Sequence, residues 1–296
     1  AMHKKLPPQY CPPPPEAESP TEAPPTPNTP TAPVTLNSPT NNRNGRSEND
    51  SSKNSVPLQY RCGDSPITSI RALFDASTPT SAASARLMLQ GSFQVKDAAG
   101  TINSYSCVIK HASMDSSGEA SPVYLKTLRR EFDMYKYAQS EAEKLGARET
   151  GCVRCYYAPP DMLYLVLENH GTDLRALLNA GLRRPDIVLE GIVPAVQALH
   201  SLGIMHGDIK PQNIVYHFNI NGECKAKLCD FDVAYRVGEL CEAARIGTKH
   251  YHAPEVFEAG AMNAEIPASL AIDMFSLGLV IWQVLKRTNS PALDCG

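Results

Sequence analysis

The chain has 296 residues, with 28 Lys and Arg against 31 Asp and Glu, and a formal charge of -3. That balance offers no basic field for nucleic acid, and no apolar run is long enough to span a membrane. The 9 cysteines are scattered and read as buried free thiols in a reducing compartment, so the expected location is intracellular, in cytoplasm or nucleus.

Residues 1–60 carry 14 of the 25 prolines, with many Thr, Ser and Asn and few large apolar side chains. Such a stretch buries too little apolar surface to offset its ordering entropy, and it is predicted to be a disordered Pro-rich tail. Pro12 to Pro15 within it suit a docking peptide for a Pro-motif-binding domain. Residues 61–84 follow as an N-terminal extension.

Gly91 lies in LQGSFQV (89–95), where Phe93 and Val95 alternate as on a strand. Asp97 to Gly100 suit a turn, and Tyr105 to Lys110 (YSCVIK) predict a second strand. Residues 128–145 are charged and helix-forming, with Phe132, Tyr135 and Ala138 at helical spacing, and Gly151 is expected to end the helix. Two short apolar runs, Val153–Tyr157 and Leu163–Leu167, flank Pro159, Pro160 and Asp161 and predict adjacent antiparallel strands. This half reads as a small sheet carrying one helix.

Beyond Leu167 helices dominate. Asp173 suits the cap of a short helix through Leu178. Ile187 to Leu202 predicts a longer helix with Ile192, Val196 and Leu199 on one side. Ile214–Tyr216 and Lys227–Leu228 predict short strands around a polar loop. Leu270 to Leu285 is nearly continuous in apolar residues, so that helix is expected to be buried all round. The pattern alone gives an α+β protein of two lobes, joined near Glu168 to Gly171.

The chemistry concentrates in HGDIKPQN (206–213) and CDFD (229–232). Asp208, Asn213, Asp230 and Asp232 offer hard oxygen donors suited to magnesium held with phosphate, and Lys210 stands among them. Cys152 and Cys155 form one CxxC without a second pair, which reads as free thiols rather than zinc ligands. His250 and His252 read as packing or substrate-side residues.

With GTKHYHAPE (247–255), these segments resemble the catalytic core of eukaryotic-type Ser/Thr protein kinases. The resemblance implies a protein-kinase-like bilobal fold, with a small N-terminal sheet lobe at 85–168 and a partial helical C-terminal lobe at 169–296. It implies that Asp208 positions the acceptor hydroxyl, that Lys210 contacts the transferred phosphate, and that Asn213 and Asp230 hold magnesium. Lys110 in CVIK resembles the lysine that pairs with nucleotide phosphates, and Glu131 in RREFDMY the helix-C glutamate that orients it. Lys126 in VYLK is a rival for the lysine role, but lies only five residues before Glu131. Gly91 resembles the one retained glycine of a degenerate nucleotide-covering loop. Leu163–Glu168 (LYLVLE) resembles the strand leading to the hinge, with Leu167 as gatekeeper, backbone groups of Glu168 to His170 at adenine, and Asp173 near ribose or serving as a cap. Thr248 resembles the threonine that holds the catalytic aspartate, and Asp273 in DMFSLG the helix-F aspartate that anchors the catalytic loop.

Besides the lost glycines of the nucleotide-covering loop, the sequence departs from the family at three places. Gly207 replaces the arginine that answers an activation-segment phosphate, Asp232 replaces the glycine of Asp-Phe-Gly, and the chain stops near helix F. The last departure leads to the expectation of C-terminal truncation, with a partner or a missing C-terminal segment covering 270–285. The implied activity is ATP- and magnesium-dependent transfer of the γ-phosphoryl group to a Ser/Thr hydroxyl of a protein substrate. A pseudokinase, or a regulatory nucleotide- or protein-binding module, is the alternative that the lost glycines, Asp232 and the early stop favour. A kinase-fold enzyme acting on a small molecule is a third reading, against which the Ala253-Pro254-Glu255 segment argues.

Overall fold

A computed structural model describes residues 58–60, 67–73, 88–96, 100–112, 119–182, 184–219 and 223–288, all within one compact unit. The Pro-rich stretch at Pro12 to Pro15 and most of the turn at 97–100 lie outside the described residues. Among the described residues no helix is long and apolar enough to cross a membrane.

The first half forms β1 (Leu58–Tyr60), β2 (Ile67–Leu73), β3 (Met88–Lys96), β4 (Ile102–His111), α1 (Pro122–Leu145), β5 (Cys155–Tyr157) and β6 (Tyr164–Glu168). The strands make one antiparallel sheet of order β1-β2-β3-β4-β6-β5. Strands β1 and β2 fall where the sequence suggested the end of a tail and an extension. β1 pairs with β2, and β2 pairs with the more distant β3, a partnership that local pattern does not reveal.

Alternation along β4 assigns its two faces. Cys107 and Ile109 join Ile70, Leu89, Phe93 and Val166 in a core on one side. The intervening Val108 and Lys110 face the other way, toward α1. There Leu128, Met134, Tyr135 and Ala138 of α1 pack with Leu165 and Leu167 of β6. Helix α1 begins at Pro122, six residues before the predicted start, because proline suits the first helical turn, where its missing N–H is not needed. Gly146, rather than Gly151, ends it, at φ 63° with its N–H on the Ala142 and Glu143 carbonyls. Gly151 instead permits a close approach to α3, since a Cβ there would lie 2.0 Å from the Ala195 carbonyl oxygen.

The second half contains β7 (Thr172–Asp173), α2 (Leu174–Asn179), α3 (Pro185–Ser201), β8 (Ile204–Met205), β9 (Ile214–Phe218), β10 (Cys224–Leu228), β11 (Tyr235–Arg236), β12 (Leu240–Glu242), α4 (Pro254–Ala261), β13 (Glu265–Pro267) and α5 (Leu270–Lys286). Strands β10, β9 and β7 form a small sheet, β8 pairs with β11, and β12 pairs with β13. Val188, Ile192, Val196 and Leu199 of α3 are buried in the same core that receives Leu277, Val280 and Val284 of α5. Helix α5 departs from its prediction. Its Ile272, Leu277, Val280 and Val284 are buried, but Met274, Phe275 and Leu285 are exposed. Among the described residues, packing covers one side of this helix. The fold is bilobal α+β: a curled sheet lobe carrying α1, then a mostly helical lobe.

Candidate active site

The two lobes contribute two clusters of charge. In the first, Lys110 at the end of β4 is 3% exposed, and Glu131, on the inward side of α1, is fully buried. The Lys110 Nζ stands 2.6 Å from Glu131 Oε2 and 2.6 Å from Asp230 Oδ1. Burial opposes the ammonium charge, but the Glu131 and Asp230 carboxylates outweigh it and hold the lysine above its ordinary pKa. Lys126, the rival, is exposed on α1.

Asp230 takes φ 70°, a left-handed conformation that is unusual for a residue with a side chain. The turn drives Phe231 into the core, where it is fully buried against Tyr135 and His206, with ring centroids at 4.8 and 4.9 Å. Asp230 and Asp232, flanking it, both reach Lys110. Asp232 is not among the residues with positive φ. The left-handed bend is at Asp230.

The second cluster surrounds Asp208. Lys210 Nζ donates to Asp208 Oδ2 at 2.6 Å and to Thr248 Oγ1 at 2.9 Å, while Thr248 Oγ1 donates to Asp208 Oδ1 at 2.8 Å. Asn213 Nδ2 donates to the Asp208 backbone carbonyl at 2.9 Å and to Oδ2 at 3.0 Å. These bonds fix the asparagine's amide orientation and turn its nitrogen toward Asp208, leaving its oxygen as the group for another partner. The Cys229 N–H donates to the Asn213 carbonyl at 3.0 Å, so Asn213, just before β9, and Asp230, just after β10, come together.

The loop bearing Asp208 hangs from α5. Asp273 is fully buried and accepts from the His206 N–H at 2.7 Å and the Gly207 N–H at 2.8 Å. His200 Nε2 lies 2.9 Å from the same carboxylate. Gly207 takes φ 77°, and a Cβ there would meet the Val233 carbonyl oxygen at 2.5 Å. His206 is fully buried, with Nε2 facing the Cys229 carbonyl at 3.0 Å and Nδ1 accepting from the Asp208 N–H at 3.2 Å. Its ring braces the loop.

Helix α1 is fastened to the segment after Asp232. The Arg130 guanidinium lies 3.8 Å from the Tyr235 ring centroid and donates to the Ala234 carbonyl at 3.0 Å. Arg236 lies 4.6 Å from the Tyr137 ring centroid. These stacked contacts join Glu131's helix to the strand that follows the aspartates.

The remaining predicted residues divide. Leu167 is buried on β6 beside Val108. The Glu168 N–H donates to the Arg154 carbonyl at 2.8 Å. Its carboxylate binds Lys227 at 2.8 Å and faces His170 Nδ1 at 3.1 Å. Burial pushes the Glu168 pKa up, but the bonds from His170 and Lys227 prevail and lower it to about 2. His170 is held on its other side 3.2 Å from the Lys225 carbonyl. Asp173 caps α2, its Oδ1 accepting from the Ala176 N–H at 2.9 Å, so the cap reading describes its side chain.

Gly91 requires a correction. It lies inside β3, paired with Ala72 on one side and Cys107 on the other, so its backbone is committed to the sheet rather than to a loop. The connection between β2 and β3, residues 74–87, lies outside the described residues. Burial raises the thiol pKa of both Cys152 and Cys155, that of Cys152 to about 11.

Sequence reasoning did not anticipate His200, Arg130, Lys227 or the contact of Asp232 with Lys110. Among the described residues, Glu131, Asp230 and Asp232 alone form a group of carboxylate oxygens close enough to hold one cation.

Comparison with known proteins agrees with this geometry. Residues 90–292 match the protein kinase domain model. The chain is 28% identical over 170 residues to the mitogen-activated protein kinase HOG1B of Wallemia ichthyophaga, a match covering 56% of this chain and 42% of that protein. It is 35% identical over 136 residues to the serine/threonine-protein kinase RUNKEL of Arabidopsis thaliana, covering 43% of this chain and 9% of that protein. It is 30% identical over 135 residues to mitogen-activated protein kinase 15 of Mus musculus, covering 42% and 23%. The aligned parts thus span less than half of each of these relatives. With the paired lysine and glutamate, the braced aspartate loop and a family match over more than half its length, the chain belongs to the protein kinase family, as a divergent member of low identity to these relatives.

Proposed function

We propose that this chain is a divergent serine/threonine protein kinase that transfers the γ-phosphoryl group of ATP to a hydroxyl of a protein substrate. The observation that carries this reading is the arrangement at Asp208. Its two carboxylate oxygens are aimed by Lys210, Asn213 and Thr248, and its backbone hangs from buried Asp273. An acceptor hydroxyl beside Asp208 would donate its hydrogen bond to this carboxylate, which orients the oxygen for attack and receives the proton as the bond to phosphorus forms. Lys210 supplies positive charge at the same place. Lys110, held by Glu131, supplies it to the nucleotide phosphates. The oxygens of Asp230 and Asn213 are hard donors from adjacent segments, and Asp230 is 31% exposed, so the pair fits magnesium. Bound there, the ion would neutralise charge on the polyphosphate.

A lobe boundary near Glu168 to Gly171, an intracellular location and a protein substrate belong to the same reading. The exposed apolar residues of α5 suit cover by a partner or by further chain.

A regulatory, non-catalytic module is the second reading. The contact between Asp232 and Lys110 favours it, because it occupies the lysine that nucleotide needs.

Phosphate transfer from ATP with magnesium to a generic protein substrate, compared with Asp208→Asn and Lys110→Met, tests the proposal. Transfer by the natural chain, with a drop of 100-fold or so in each variant, is expected. No transfer, or transfer indifferent to both substitutions, removes the catalytic assignment. Nucleotide binding without transfer supports the regulatory module.

A further inference from the structure

An ammonium has three N–H donors. On Lys110 three carboxylates lie within reach: Glu131 at 2.6 Å, Asp230 at 2.6 Å and Asp232 at 3.1 Å. The lysine is 3% exposed, so water does not offer its donors an easy exchange. Three negative charges gather on one positive charge, and a nucleotide polyphosphate would add more.

The three carboxylates are not equivalent. Glu131 is fully buried and its other oxygen faces the Phe231 N–H at 3.4 Å. Asp230 matches Glu131 in the shortness of its contact. Asp232 has the longest of the three, and its backbone lies outside the left-handed region. Backbone geometry therefore does not demand this residue, and its carboxylate is the one that can yield.

We propose that Asp232 is a positioning residue that occupies the third donor of Lys110 and must be displaced before a nucleotide phosphate can bind, which ties nucleotide affinity to a divalent cation. The inference rests on the reading of this cleft as a nucleotide site. A cation held beside Asp230 would screen the repulsion between Asp232 and the incoming phosphate and would favour release of Asp232 from the lysine. Without the cation, Asp232 and the phosphate compete for one N–H.

The test measures ADP binding by titration calorimetry, with magnesium and with a chelator, for the natural chain, Asp232→Asn and Asp232→Gly. Removing the charge is expected to tighten metal-free binding by about tenfold or more, and to shrink the ratio of the affinities with and without magnesium. In a Lys110→Met background the same substitution is expected to give little further gain, because Asp232 acts through Lys110. A purely structural role for Asp232 would not produce that coupling. Two variants guard against one that fails to fold. If the natural chain binds ADP and both variants show its metal-free affinity, this inference is overturned while the nucleotide reading stands. If none of the three binds ADP under either condition, both fall. Binding by the variants alone supports the inference in its strongest form, with Asp232 keeping the natural site closed.

Discussion

Replacing Asp273 by alanine should disassemble the loop that presents Asp208. The Asp273 carboxylate accepts two backbone N–H groups, at 2.7 and 2.8 Å, in a fully buried position, and also faces His200 at 2.9 Å. Alanine leaves both N–H groups without an acceptor, at a cost of about 1–3 kcal/mol each. The loss of the His200 contact adds to this, while release of a buried charge offsets part of it. The expected loss is about 3–5 kcal/mol, a large share of a domain's usual 5–15 kcal/mol or so. Asp273→Asn should fall between alanine and the natural residue: its amide oxygen can accept one backbone N–H, but its NH2 then confronts the other. Urea unfolding followed by the fluorescence of Trp282, the single tryptophan and a residue of α5, measures all three proteins. A loss under about 1 kcal/mol for alanine, or asparagine worse than alanine, would refute the claim that these two N–H groups depend on Asp273.

Thr248→Val removes both hydrogen bonds that its hydroxyl makes to Asp208 and Lys210, and should lower phosphate transfer about tenfold to 100-fold, with Thr248→Ser recovering most of it. Gly207→Ala forces a side chain into φ 77° and against the Val233 carbonyl, and should cost about 2 kcal/mol or more in urea unfolding. Glu168 has a folded-state pKa of about 2 against an ordinary value of 4.5, so its stabilisation is complete above about pH 4.5 and disappears as pH falls through about 2. The stability advantage of the natural chain over Glu168→Gln should therefore shrink by about 1 kcal/mol between neutral pH and about pH 3.5; an advantage that is constant over that range would contradict the assignment.

The readable parts of this site are local. Asp208, Lys210 and Asn213 lie within six residues, and their hydrogen bonds reproduce that spacing. Lys110 and Glu131 are 21 residues apart and were legible because CVIK and RREFDMY each resemble a family motif. Contacts between distant segments left no such mark. His200 reaches Asp273 across 73 residues, and Lys227 reaches Glu168 across 59, each from a position that reads as an ordinary surface residue. Gly91 misled because a glycine in an alternating segment suits a loop or a strand equally well; the pairing partners on both sides decide it, and one of them, β2, has a weak pattern of its own. The apolar run at 270–285 states how hydrophobic α5 is, but not how much of it the neighbouring elements reach.

Arg130 and Arg236 clasp tyrosine rings across the joint between α1 and the strand after Asp232. Neither clasp needs a covalent mark to be made or unmade, and Gly207 offers no side chain with which to sense one. Treating the purified protein with a phosphatase should leave its transfer rate unchanged; a fall would show a dependence this joint does not predict. Under the proposed function, Gly207 would leave the activation segment without an arginine-based phosphate switch. The output of such a kinase would be metered by how much of it is made, how long it lasts and where it is brought.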